Sequence, residues 1–207
     1  MSARSPVVLF FTLVAWILHP LLMPSWIFLI LDRHHEAVFA TGLETDELVL
    51  MILLLTGLFP GFLMLMMRNL GLIDSLVLPD REQRTLPGLI LAGVYTLVAG
   101  YFFVRFPTTG IGQMLLVIAL PAVVAAVITF RMKISVHATA AVTCATIVNT
   151  HLLTGPYAAP EWAAASVILA GLVMSSRLAL KAHTTKEVYI GAAAGLISSL
   201  LALRMFR

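Results

Sequence analysis

Apolar residues in this chain are gathered into long runs separated by short polar segments. Seven such runs can be drawn, at roughly 7–31, 47–67, 87–105, 112–130, 136–153, 161–180 and 187–204. About 20 apolar residues carry a helix across the hydrocarbon core of a bilayer. Lipid supplies no hydrogen bonds, so a crossing segment satisfies its own backbone as a helix. The period-two alternation of a membrane β-barrel is absent. The pattern predicts an all-α, polytopic transmembrane bundle of about six to seven spans. It forms one integral-membrane domain over residues 1–207, with a motif-bearing core at about 68–204.

Two runs carry helix breakers. "WILHPLLMPSW" sets His19, Pro20 and Pro24 inside the first run. Proline removes a helical hydrogen bond and kinks the chain, so this run is either a bent helix or two half-helices. His19 is expected there as a buried polar group bonded to a freed carbonyl. "GLFPGF" kinks the second run at Pro60 in the same way. The first run is too long for the apolar region of a signal peptide, and no small-residue cleavage site follows it.

Each span reverses the side of the next linker. Linkers 68–86, 131–135 and 181–186 therefore share one face, and 32–46, 106–111 and 154–160 lie on the other. Three polar clusters fall on the first face. "LPDREQRTLP" holds Arg81 and Arg84, "FRMKISVHA" holds Lys133, Ser135 and His137, and "SSRLALKAHTTKEV" holds Arg177, His183 and Glu187. The opposite face offers "LDRHHEA". Adjacent histidines point apart on a helix and no further ligand is evident there, so His34, His35 and Glu36 do not read as a metal site.

Composition supports lipid as the solvent. Hydrophobic residues make up 60% of the chain and charged residues 11%, against about 25% in a soluble domain. Mean hydropathy is +1.01. The net charge is +3, but the basic residues sit at the ends of apolar runs. Headgroups and lipid phosphates fit them better than nucleic acid does. Cys144 is the single cysteine, which excludes an intrachain disulfide and a thiol–zinc cluster.

The shared face has the inventory of a phosphate site. Guanidinium forks on Arg81, Arg84 and Arg177 match phosphate oxygens, Lys133 adds charge, and Ser135 adds a hydroxyl donor. His137 and His183 titrate nearest neutrality, so one can attack while the other donates a proton. Glu187 lies four residues after His183, within reach of a ring N–H on one helix face. No carboxylate cluster points to a metal, which leaves charge stabilisation to the cations.

These residues resemble the signatures of the type 2 phosphatidic acid phosphatases. Ser176 and Arg177, five residues, His183, three residues, Glu187, then Val188 and Gly191 follow the third signature, with Glu where the family has Asp. "SVH" at 135–137 is similar to the second, Pro-Ser-Gly-His, with Val136 in place of Gly. "REQRTLP" supplies Arg81, Arg84 and Pro87 at a spacing compressed relative to the first signature.

The resemblance implies a metal-independent lipid phosphatase without cofactor, placed in a bacterial inner membrane. In it His183 attacks phosphorus to form a phosphohistidine, and His137 protonates the leaving alkoxide. Ser135, Arg177 and Arg81 or Arg84 hold phosphoryl oxygens. The substrate would be a lipid phosphate monoester or an isoprenoid diphosphate.

Other readings remain open in the sequence. Thr184 to Glu187 fits a helix-capping box, with Arg177, Lys181 and Lys186 reaching to the interface. A non-catalytic protein that binds or moves anionic lipids would use the same basic face, and a decayed phosphatase would carry the same Glu and Val replacements. Cations on the two faces leave the orientation open once those assigned to phosphate are set aside, and oligomeric state is not encoded in any motif. Thr139, Thr143, Thr146 and Thr150 read as a helix-packing stripe.

Overall fold

A computed structural model of the chain describes residues 5–34, 44–78, 80–153 and 158–205. These residues are helical throughout, with no strand among them. In chain order they form α1 (Pro6–Ile17), α2 (Met23–His34), α3 (Thr45–Ile52), a π-helical segment (Leu53–Leu58), α4 (Phe59–Asn69), α5 (Arg81–Arg105), α6 (Ile111–Thr129), α7 (Val136–Leu152), α8 (Pro160–Ala179) and α9 (Thr185–Met205). Among the described residues five helices are long and apolar enough to cross a membrane: Thr45–Asn69, α5, α6, α8 and α9. Large apolar side chains such as Leu97, Val104, Ile168 and Leu201 lie exposed on their outer surfaces, as a lipid-facing wall requires. His35 and Glu36 fall outside the described residues.

The first run is two helices, not one bent span. After Ile17 the chain breaks over Leu18 to Leu22, and the indole N–H of Trp26 returns to donate to the carbonyl of Ile17 at 3.2 Å. The second run is continuous but carries the π-helical segment. Pro60 has no N–H to offer the carbonyl four residues earlier, that of Thr56. The hydroxyl of Tyr95 on α5 donates to that carbonyl instead, at 2.9 Å. These two irregularities touch: a Cβ on Gly57 would lie 3.1 Å from the carbonyl oxygen of Leu21.

The interior has α7 at its centre, packed between α8 and α9, while α5 and α6 form a long pair beside it. The α7–α9 contact is close because α9 presents Gly191 and Gly195 to it. A Cβ on Gly191 would meet the carbonyl oxygen of Ser135 at 2.6 Å, and one on Gly195 would strike the carbonyl of Thr139. Small residues permit such approach between membrane helices, where burial of apolar surface gives no net drive. Thr139 and Thr143 of the polar stripe are buried in this seam.

Replacing Gly195 with Ala is expected to cost about 1–3 kcal/mol, the usual penalty for overpacking. Gly93→Ala, on the open side of α5 with nothing within 4 Å, is expected to be neutral or mildly stabilising. Thermal unfolding of both variants in one detergent is the check.

Candidate functional site

The turn between α8 and α9 delivers the first group. Lys181 adopts φ +53. Its N–H donates to the carbonyl of Leu178, and the N–H of Ala182 donates to that of Arg177, both at 3.0 Å. This is a Schellman cap built without glycine. It ends α8 just after Arg177 and swings His183 back toward that residue. Glu187 then does two things with one oxygen. Its Oε2 accepts from Nδ1 of His183 at 2.7 Å and from the N–H of Thr184 at 3.4 Å, while Thr184 Oγ1 accepts the N–H of Glu187 at 3.3 Å. The capping box and the His–carboxylate pair coexist.

A second group comes from the first turn of α5. Arg84 donates from Nε to the carbonyl of Leu78 at 2.7 Å, and its Nη1 lies 3.5 Å from Nε2 of His183. Carboxylates accept and guanidiniums donate, so the partners assign the tautomer: Nδ1 of His183 carries the proton and Nε2 the lone pair. Leu78 has φ +50, and it and Lys181 are the non-glycine residues at positive φ among those described. Both flank the site, where strained backbone tends to collect.

The third group opens α7. Ser135 caps the helix, its Oγ accepting the N–H of Ala138 at 3.3 Å, and its own N–H donates to the carbonyl of Glu187 at 3.1 Å. The ring of His137 lies edge-to-face on that of His19, with centroids 5.1 Å apart.

A cavity of about 200 Å³ connects these groups. Its polar end is lined by His19, Arg84, His137, Arg177 and His183. Its long wall is apolar, made by Leu63, Met64 and Met67 of α4, Ile90 and Leu91 of α5, and Ala122, Ala125 and Ala126 of α6. Nε of Arg177 is buried with no hydrogen-bond partner among the described residues.

Of the eight residues singled out in sequence, Arg84, His137, Arg177 and His183 line the cavity, and Glu187 holds His183 from behind. Ser135, Lys133 and Arg81 do not line it. Ser135 is fully buried as a cap. Arg81 pairs with Glu82 at 2.8 Å and donates to the carbonyl of Phe130 at 3.0 Å, tying the start of α5 to the end of α6. His19 is the residue that sequence reasoning assigned elsewhere. Its ring accepts the N–H of Leu21 at 3.3 Å, rather than serving a freed carbonyl, and lines the cavity. Among the described residues no group of three or more His, Cys, Asp or Glu side chains is placed to hold a metal. Comparisons with protein-family models, with curated proteins and with solved structures each found no match to this chain.

His183 lies in the turn outside the helices. Burial is the main force holding its imidazole well below the ordinary 6.5; Arg84 and Arg177 add to this, and the bond to Glu187 opposes it. Neutral imidazole with its lone pair toward Arg84 at the cavity edge is therefore the resting form at pH 7. Titration of the His183 ring by NMR is expected to show a midpoint well under 6.5, and a midpoint at or above 6.5 contradicts this geometry. The unfolded chain takes up that proton near 6.5 and the folded chain resists it. This contribution to stability is thus intact above 6.5 and declines as pH falls below it.

Proposed function

We propose that the protein hydrolyses the phosphate of a membrane lipid, a monoester or a diphosphate, through a phosphohistidine on His183. The supporting observation is the state of that ring. Its Nδ1–H is committed to Glu187, and its Nε2 lone pair, at the cavity edge and 3.5 Å from Nη1 of Arg84, is released for attack as that guanidinium turns to a bound phosphate. In the first step Nε2 bonds to phosphorus and the P–O bond to the lipid, or to its remaining phosphate, breaks. His137, which takes up a proton together with the anionic substrate, gives it to the departing oxygen. In the second step water attacks the phosphohistidine, His137 takes the proton from that water, and the P–N bond breaks to free phosphate. Arg84 and Arg177 hold the equatorial oxygens, where charge accumulates.

The apolar wall of α4, α5 and α6 gives the lipid chain a place beside the polar end. In this reading α7 and the α1–α2 pair also lie in the bilayer, which brings the spans to six or seven. On this reading, which rests on the resemblance of the three clusters, the protein is a divergent type 2 phosphatidic acid phosphatase, and a bacterial inner membrane is the proposed location.

Purified protein with a long-chain phosphate monoester and EDTA is expected to release inorganic phosphate. His183→Ala should reduce release to background, and Arg177→Ala should lower kcat/KM by about 10²–10³-fold, as loss of a transition-state donor does. Lipid bound tightly without phosphate release, yet weakened by Arg177→Ala, would replace the enzyme with a non-catalytic binder of anionic lipids.

A further inference from the structure

We propose that His19 is a third imidazole of the anion site, donating a hydrogen bond from Nε2–H to the bound phosphate. This rests on the reading that the cavity takes a phosphate group. Three observations lead to it. First, the tautomer is assigned by chemistry: a backbone amide can only donate, so the bond from Leu21 N–H at 3.3 Å makes Nδ1 an acceptor and puts the proton on Nε2. Second, that Nε2–H has no acceptor among the described residues, while the ring lines the polar end of the cavity. Third, the ring is held in place from several sides. Its edge-to-face contact with His137 is 5.1 Å between centroids at 85°. Its own carbonyl accepts the N–H groups of Leu22 and Met23, at 2.8 and 3.2 Å.

The helix break is what makes this possible. A helical residue at position 19 would spend its backbone groups within α1, and its side chain would pack along that helix. Instead Pro20 ends the ladder, and the break is seated on the π-helical segment at Gly57. His19 is thereby presented to the cavity against the ring of His137. A neutral N–H donor adds a directed bond to an anion without adding another buried charge, which two adjacent guanidiniums would penalise.

Two isosteric replacements separate a ligand role from a purely structural one. Asn places its carbonyl oxygen where Nδ1 stands, so His19→Asn keeps the bond to Leu21 and loses the outer donor. Gln extends its amide to the position of Nε2, so His19→Gln keeps the donor and loses the bond to Leu21. The full chain in detergent is titrated with inorganic phosphate, and turnover of a long-chain phosphate monoester is measured in parallel. The expected result is phosphate affinity and KM within about threefold of wild type for His19→Gln and weaker by about tenfold or more for His19→Asn. That factor is what a lost hydrogen bond to a charged group implies. The thermal midpoint should show the opposite order.

Wild-type affinity in His19→Asn, or losses in both variants that merely track the thermal midpoint, overturns the proposal. If inorganic phosphate fails to bind but lipid turnover shows the expected order, the donor acts on the lipid headgroup and the proposal stands. If wild type neither binds phosphate nor releases it, and Arg177→Ala changes nothing, the phosphate reading of the cavity falls and this inference with it.

Discussion

The N–H of Ser135 donates to the carbonyl of Glu187, and it can do so because Gly191, one turn further along α9, has no side chain. A Cβ there would press into the Ser135 carbonyl at 2.6 Å. This contact sets the spacing between α7 and α9 and hence the position of everything attached to their first turns. Glu187 is pinned by its backbone to α7 and by its carboxylate to His183 and Thr184. The His183-bearing turn and the His137-bearing turn are therefore tied to each other. Rotamer freedom at Glu187 is spent on structure, so the orientation of His183 is fixed by the fold itself.

The charge balance of the cavity supports the proposed anion. Arg84 and Arg177 are both partly buried; Glu187 and Asp80 offset the charge of Arg84, while Nε of Arg177 has no partner among the described residues. A buried cation that lacks a counter-ion is costly. An oxyanion in the cavity would relieve the repulsion between the guanidiniums and supply the missing acceptors together. The two non-glycine residues at positive φ support the same two cations: Leu78 offers its carbonyl to Arg84, and Lys181 closes the cap whose acceptor is the carbonyl of Arg177. Strained backbone thus supports both cations beside the cavity.

Much of this was legible in the sequence, and the limits have physical causes. The apolar runs gave the helices because length and composition suffice to mark a membrane-crossing segment. Parity brought three distant clusters to one face, and Arg84, His137, Arg177 and His183 do meet in one cavity. Sequence gave no way to rank cations within a cluster. Arg81 and Arg84 are three residues apart, yet one turns to Glu82 and the carbonyls after α6 while the other enters the cavity. That choice depends on the packing of α5 against α6. Ser135 illustrates a second limit. A serine before a helix suits a cap and a phosphate ligand equally in sequence, and the cap is what its hydroxyl makes here. His19 shows a third: its position next to Pro20 marked a break, but which wall the break faces is a tertiary fact.

The two helix defects explain why a cavity exists at all among closely packed membrane helices. A continuous α1–α2 span and an unbroken α3–α4 span could pack ridge into groove and leave no room beside His137 and His183. The break at Leu18 to Leu22 and the π-helical segment instead meet each other at Leu21 and Gly57, and His19, Pro20, Leu21 and Pro60 all line the hollow. Irregular backbone is tolerated within a bilayer where protein or a polar cavity satisfies it. Tyr95 satisfies the carbonyl that Pro60 leaves, and the His19 ring satisfies the amide of Leu21. The prolines thus open the space, and the residues that repair their missing hydrogen bonds become its walls. A polar end at the helix termini joined to an apolar wall along α4 is what the proposed lipid substrate would need, a charged headgroup and its chain each in the medium that suits it.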